Sequence, residues 1–195
     1  MKKNPISIGL DDATFKLKDT RSKTTPLIGV VCQGTRMVSV VKKDITIDGN
    51  DSTEAIINLI RRTEKHVQYV LMDTITFAGF NIADLREIHE RTSKPIIALT
   101  DKKVNLDSVR TALINRFPKE FKNKIQKIIN AGNLFETDVL TAGGASKVYF
   151  HHLGIEMEEV KKLLEKLCID SKLPECLRMA HLIGKIFEKG QVIVD

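Results

Sequence analysis

The sequence predicts an α/β protein with a mixed central sheet, three antiparallel strands plus parallel strands, flanked by helices. Three observations lead to this prediction. The chain opens with three β-rich segments separated by turn residues. Beyond Asn50 the apolar residues recur at helical spacing. Two continuous apolar runs then alternate with amphipathic segments, a pattern typical of parallel strands buried on both faces.

The predicted elements follow in chain order. The first strand ends in Asp11 and Asp12, and the next two form a meander that turns near Gly34. The helices that follow are predicted at 51–67, 81–93, 106–116, 156–168 and 174–190, and a further segment covers 120–130. Buried strands are predicted at 67–73 and 94–101, and a strand, a Gly-rich turn and a second strand or loop at 134–155. No repeat or linker interrupts the chain, so we expect one domain over residues 1–195.

Composition limits the classes of protein that fit. The chain has 195 residues, of which 42% are hydrophobic and 29% charged, as in ordinary globular proteins. Its three cysteines, Cys32, Cys168 and Cys176, form no C-x-x-C pair, which favours buried thiols in a reducing compartment over disulfides or zinc. No secretory signal or membrane-spanning run is present. We therefore expect a cytoplasmic protein without membrane association.

Positive charge is concentrated in one segment. The net charge is +6, and residues 102–127 carry eight basic and two acidic residues. Such a surface suits a phosphate-rich partner, although the charge alone favours a solvated helix face. Aromatic residues are sparse, with no Trp and two Tyr, which disfavours a base-stacking platform for single strands.

Three carboxylates follow the predicted elements in an order that favours a shared site. Asp11 ends the first strand, Glu54 lies in the first turn of the first helix, and Asp73 ends a buried strand. Carboxylate oxygens are ligands for Mg²⁺ or Mn²⁺. Each acid also has a structural explanation. Glu54 could close a capping box with Asp51, and the aspartates could accept hydrogen bonds in turns.

A polar stripe crosses the otherwise apolar C-terminal helix. Glu175, Arg178 and His181 lie three residues apart, so they share one face. His181 is therefore a candidate site residue, the alternative being a capped or buried core histidine.

Four motifs carry a family resemblance: residues 8–15, 45–56, 72–81 and 174–181. Through them nearly the whole chain resembles an uncharacterised archaeal family of the UPF0215 type. That family is similar to endonuclease V, a metal-dependent nuclease of ribonuclease H-like fold. Asp11 matches its Asp in a Gly-x-Asp context, and Glu54 the Glu opening its first helix. Asp73 matches its Asp-Gly, and Pro174–His181 its P-E-x-x-R-x-A-H helix.

The resemblance implies a nuclease site. Asp11, Glu54 and Asp73 would be catalytic and would bind one or two Mg²⁺ or Mn²⁺ ions, with His181 near the attacking or leaving oxygen. DNA or RNA would be the partner, its backbone held by basic side chains. Those side chains are Lys102, Lys103, Arg116, Lys119, Lys122, Lys124 and Arg178. Asp12, Asp48 and Asn81 are candidate accessory residues.

The chain also departs from endonuclease V. Residues 43–48 lack the Tyr and Pro of the base-reading wedge, so the recognised base should differ. Thr74 replaces Gly and should restrict the approach of substrate. Residues 76–81 are interpreted as a substrate-side loop, the alternative being packing by Phe77 and Phe80. A metal-dependent nuclease is the leading hypothesis. A non-enzymatic nucleic-acid-binding protein or a small-molecule phosphohydrolase on the same fold are the alternatives.

Overall fold

The computed structural model describes residues 2–14, 23–63, 67–100, 102–103 and 105–188. Seven strands form one mixed sheet in the order β3-β2-β1-β4-β7-β9-β8, and β5 pairs with β6 in a separate hairpin. The strands are β1 (Ile6–Asp12), β2 (Thr24–Gln33), β3 (Arg36–Thr46), β4 (Tyr69–Asp73), β5 (Thr76–Phe77), β6 (Asn81–Ile82), β7 (Ile96–Thr100), β8 (Phe135–Thr141) and β9 (Gly144–Leu153).

The sheet has the predicted composition. β1, β2 and β3 are antiparallel, whereas β4 runs parallel to β1 and β7 parallel to β4. The β8–β9 hairpin, left open as strand or loop, adds to β7 in antiparallel orientation. The fold class predicted from the sequence is confirmed. Asp101, predicted to close a strand, lies outside the described residues.

Helices cover both faces of the sheet. They are α1 (Ser52–Thr63), α2 (Leu85–Thr92), α3 (Leu106–Arg116), α4 (Phe121–Asn130), α5 (Met157–Leu167) and α6 (Glu175–Glu188). Within the part of the chain that the structure describes, none has the length and apolar character that crossing a membrane requires.

Two hydrophobic cores lie on opposite faces because side chains alternate along each strand. Ile8 and Leu10 of β1 pack with α1 on one face. Leu71 of β4 packs with α5 and α6 on the other. Each fully buried Leu or Ile contributes about 1.5–3 kcal/mol relative to an exposed one. The three cysteines are free and buried in the second core, as predicted.

Close packing of α6 on β1 depends on Gly9. A Cβ atom at Gly9 would overlap the backbone of Cys176 and Leu177, so no larger residue allows the helix to lie this close to the strand. Gly184, two turns further along α6, also lies close to the backbone of Asp12 and Ala13, though less tightly than Gly9 lies against α6. The two glycines fix the distance between α6 and the end of β1.

The predicted helix over 81–93 is shorter than expected. Asn81 and Ile82 pair with β5, and α2 begins only at Leu85. Asp84 is the N-cap, since its side chain accepts a hydrogen bond from the backbone N–H of Glu87. Asp84 therefore divides the segment into a strand and a helix. An N-cap aspartate is a local signal for the start of a helix, and the apolar periodicity of the segment does not show it.

Candidate metal centre and nucleic-acid surface

The register of β1 and β4 brings Asp11 and Asp73 to one edge of the sheet. Gly9 pairs with Leu71 and Leu10 with Met72 in parallel orientation. One step further along the two strands are Asp11 and Asp73. The side chains of alternate residues share a face, so both acids lie on the face that α6 covers.

Helix α6 adds His181 to the two acids. Its Nδ1 atom lies 2.9 Å from Oδ2 of Asp11. One ligand atom from each of Asp11, Asp73 and His181 can be chosen so that all three lie within 4.8 Å of one another. The side chain of Asp11 is only 7% exposed and that of His181 is 42% exposed, so the group is open to solvent on the histidine side.

Electrostatic repulsion and burial act on this group. Burial, together with the negative charges of Asp73 and Asp12, raises the pKa of Asp11 to about 8. A divalent cation would relieve the repulsion. Two carboxylate oxygens and an imidazole nitrogen form a donor set that suits Mn²⁺ and, through the oxygens, Mg²⁺.

Asp12 lies beside the group but points to the other face. Its Oδ2 atom accepts a hydrogen bond from the backbone N–H of Ala78 at 3.0 Å. Burial, together with the negative charge of Asp73, raises the pKa of Asp12 to about 6, although the hydrogen bond from Ala78 acts in the opposite direction. Asp12 thus joins the β5–β6 hairpin to the acidic end of β1.

The structure does not bring Glu54 to this group, which corrects the predicted set of three acids. Glu54 is exposed, and Arg91 donates to both of its oxygens at 2.6 and 3.2 Å. The physical reason is that α1 packs on the face of the sheet opposite α6. The alternative capping box is not formed either, because Asp51 accepts from Thr46 and Asn81.

Thr74 adopts a left-handed backbone conformation, with φ of 70°. This region is unfavourable for a β-branched residue and favours glycine. The backbone N–H of Thr74 donates to the carbonyl of Leu99 at 2.6 Å, which holds the chain in this conformation directly after Asp73. The residue that departs from the endonuclease V pattern is therefore also a point of backbone strain.

Lys124 cannot contact a nucleic-acid backbone, contrary to the prediction. Its side chain is 0% exposed. Nζ donates to the carbonyl oxygens of Asp48, Gly49 and Phe80 at 3.3, 2.6 and 2.7 Å. A buried ammonium group needs such partners. The helical spacing of α4 places Lys124 inward, and the charge count could not distinguish it from exposed neighbours such as Lys122.

The other predicted basic residues differ in their surroundings. Lys102, Lys119 and Lys122 are exposed. Lys103 is exposed and lies 3.3 Å from Glu136. Lys102 and Lys103 follow β7, whose carboxyl end lies at the same sheet edge as Asp73 because the strands are parallel.

Arg178 is occupied by an intrahelical ion pair. Its guanidinium group donates to the buried Glu175 at 2.7–3.1 Å and lies 3.5 Å from Asp170. The predicted polar stripe on α6 therefore divides into a structural ion pair and the site residue His181.

The proposed accessory residues Asp48 and Asn81 hold the β5–β6 hairpin to neighbouring segments by hydrogen bonds. Asp48 accepts from the backbone N–H of Phe80 and from Arg116 at 2.8 and 3.0 Å. The buried Asn81 accepts from the backbone N–H of Ser52 and donates to Thr46 and Asp51. Neither residue belongs to the metal-binding group found among the described residues.

Comparison with known proteins identifies the family. The family model described as endonuclease dU matches residues 6–187. The chain belongs to the endonuclease dU family. A UPF0215 protein of Pyrococcus horikoshii is 35% identical over 193 residues, covering 98% of this chain and 96% of the relative.

Solved structures agree with the fold of this endonuclease dU family member. A protein of unknown function from Archaeoglobus fulgidus has a TM-score of 0.82 at 22% identity, covering 95% of this chain and 99% of the other. Endonuclease V of Ciona intestinalis, in complex with DNA containing an inosine followed by a ribo-adenosine, has a TM-score of 0.56 at 11% identity. The structural match covers 91% of this chain and 83% of the Ciona chain. At these identities the likeness concerns the fold, which is of the ribonuclease H-like kind.

Phe117 is a further candidate residue that no sequence motif marks. Its ring lies 5.5 Å from that of Phe80, between centroids, and Arg116 lies over both rings. The only sequence signal is the Arg116–Phe117 pair at the end of a basic helix. The contact joins two segments far apart in the chain, so local patterns do not predict it.

Proposed function

We propose that this protein is a divalent-metal-dependent nuclease that hydrolyses phosphodiester bonds in DNA or RNA. The main support is that Asp11, Asp73 and His181 come together at the carboxyl ends of β1 and β4. One ligand atom from each of these residues lies within 4.8 Å of the other two. The cytoplasm is the proposed location, since all three cysteines are free thiols.

The proposed roles follow from the surroundings of each side chain. Asp11, Asp73 and His181 would hold Mg²⁺ or Mn²⁺, which when bound supplies Lewis acidity at the scissile phosphate. Asp12, held by Ala78, adds negative charge beside the ligands. In the alternative arrangement, with Asp11 and Asp73 alone holding the ion, the imidazole of His181 would accept a proton from a reacting oxygen or return one to it. Glu54 would not bind the ion, because its carboxylate forms an ion pair with Arg91.

The exposed lysines would position the substrate. Lys102 and Lys103 lie at the same sheet edge as Asp73, and Lys119 and Lys122 extend the positive surface. Contacts with phosphates contribute affinity that decreases with salt and carry no sequence information. The family description names dU, and the Ciona enzyme was seen with inosine in its DNA. DNA carrying deoxyuridine or inosine is therefore the first substrate to test.

The experiment measures cleavage of end-labelled oligonucleotides. Single-stranded and duplex DNA and RNA, unmodified or with one deoxyuridine or inosine, are incubated with Mg²⁺ or Mn²⁺. Asp73→Asn should abolish cleavage, whereas the control Asp44→Asn, on the exposed strand β3, should retain it.

Two results would contradict the proposal. Cleavage that survives Asp73→Asn would come from a contaminant or another site. Binding without cleavage under all conditions would favour a non-enzymatic nucleic-acid-binding protein.

A further inference from the structure

The β5–β6 hairpin carries two phenylalanines that differ in burial. Phe77 is fully buried, whereas Phe80 is partly exposed. The two rings thus have different roles, although they are three residues apart. The turn between the strands, residues 78–80, is joined to Asp12 by the backbone N–H of Ala78.

The position of Phe80 is fixed by bonds on both sides. Its backbone N–H donates to Asp48 at 2.8 Å, and its carbonyl accepts from the buried Lys124 at 2.7 Å. Asp48 in turn donates through its backbone N–H to the carbonyl of Ala78 at 2.7 Å. A group held in this way loses little conformational freedom when a ligand binds to it.

Phe80 belongs to a compact aromatic and cationic cluster that we name the Phe80 cluster: Phe80, Arg116 and Phe117. The rings of Phe80 and Phe117 are tilted by 57° with centroids 5.5 Å apart. The Arg116 guanidinium carbon lies 5.5 Å from each centroid, and its side chain is 47% exposed. Aromatic rings and guanidinium planes are the groups on which unpaired bases stack.

The segment that carries Phe80 is connected to the acidic end of β1. Ala78, two residues before Phe80, donates its backbone N–H to Asp12, the neighbour of Asp11 in the chain. The Cα atoms of Ala78 and Phe80 are within about 7 Å of each other. Lys119 and Lys122, both exposed, follow Arg116 in sequence and suit the adjoining phosphates.

From these observations we propose that the Phe80 cluster is a stacking surface for an unpaired nucleobase of the bound nucleic acid. This inference rests on the proposed function, because it assigns a substrate contact beside the same site. It names the base as the ligand and the ring of Phe80 as the main contact. Recognition is by stacking and therefore tolerates different bases.

The absence of tryptophan from the sequence permits a direct test. Phe80→Trp introduces one tryptophan, and stacking of a base quenches its fluorescence. The control Phe187→Trp places the single tryptophan on α6, where Phe187 is exposed and its ring centroid lies 5.9 Å from Nζ of Lys42. Binding is measured separately by anisotropy of a labelled oligonucleotide, without divalent metal and with EDTA, so that cleavage does not occur.

The expected result is quenching in Phe80→Trp on binding of a single-stranded oligonucleotide and little quenching in Phe187→Trp. An oligonucleotide of abasic sites should bind without quenching. Phe80→Leu, which keeps apolar bulk, should weaken binding about 5-fold or more with an unchanged salt dependence.

The outcomes separate the two proposals. Binding without quenching, together with unchanged affinity in Phe80→Leu, would overturn the stacking surface and leave the nuclease proposal intact. Loss of cleavage in Asp73→Asn with normal quenching in Phe80→Trp would support both. If the wild-type protein binds no nucleic acid at low salt, both are wrong.

Discussion

The imidazole of His181 lies 2.9 Å from the carboxylate of Asp11, although 170 residues separate them in the chain. Gly9 makes this contact feasible, since it allows α6 to pack directly on β1. Metal affinity should depend on the contact.

His181→Ala should weaken Mn²⁺ binding about 10- to 100-fold, because it removes one ligand and the partner that orients Asp11. Isothermal titration calorimetry checks this. His151→Ala is the matched control and should bind Mn²⁺ like the wild type. It removes a histidine of β9 whose Nδ1 atom lies 3.0 Å from the carbonyl oxygen of Asn133. Equal affinities in wild type and His181→Ala would remove His181 from the centre.

The stability of the metal-free protein should decrease as pH rises. The pKa of Asp11 is raised from 3.8 to about 8 and that of Asp12 to about 6, so the folded state binds protons that the unfolded state releases. Their stabilising effect is fully present below about pH 3.8 and is lost as pH approaches 8.

The measurement is thermal unfolding in EDTA at several pH values between about 4 and 8, for wild type and Asp11→Asn. Acids of lowered pKa, such as Glu54, act in the opposite direction, so the difference between the two proteins is the quantity of interest. We expect the wild type to lose stability relative to Asp11→Asn as pH rises. A difference independent of pH would contradict the raised pKa.

Glu54→Gln should change cleavage and metal affinity less than about 2-fold, since Glu54 pairs with Arg91 away from the group. Asp73→Asn should lower Mn²⁺ affinity strongly because it removes a ligand. Parallel calorimetric titrations compare the two. If Glu54→Gln matched Asp73→Asn, the original three-acid site would be restored and the arrangement of α1 would have to change on metal binding.

Lys124→Met should destabilise the fold by about 2–4 kcal/mol, because three carbonyl groups lose their buried donor. The exposed Lys122→Met should change stability by less than about 0.5 kcal/mol. Urea unfolding gives both values. Lys122→Met should instead weaken nucleic-acid binding and reduce its salt dependence, whereas equal stability of the two variants would show that Lys124 is not anchored as described.

The Thr74→Gly variant should be more stable than Thr74→Ala by about 1 kcal/mol, because φ is positive at position 74. At a position with negative φ, alanine is the more stabilising of the two residues. The comparison of Thr74→Gly with Thr74→Ala by thermal unfolding avoids differences in side-chain contacts. Thr76, in the extended strand β5, is the control position and should favour alanine. The same order at both positions would show that Thr74 carries no strain.

The sequence by itself determined the fold class, the order of the elements and two of the three residues of the candidate metal centre. Apolar periodicity is a local property, so it revealed the meander, the buried strands and the basic helix. It also placed Asp11 and Asp73 at strand ends, where parallel strands meet at one edge. The family motif placed His181 on α6.

Only the tertiary structure decided which candidates share a site. The resemblance implied that Glu54 binds the metal and that His181 lies near the reacting oxygen. However, α1 and α6 pack on opposite faces of the sheet, and of these two residues only His181 lies in the group with Asp11 and Asp73. Lys122 and Lys124 carry the same charge, and the loops that bury Lys124 lie 44–76 residues away in the chain. The burial of a side chain and the face of the sheet on which a helix packs depend on such distant contacts, which residue type and spacing do not encode.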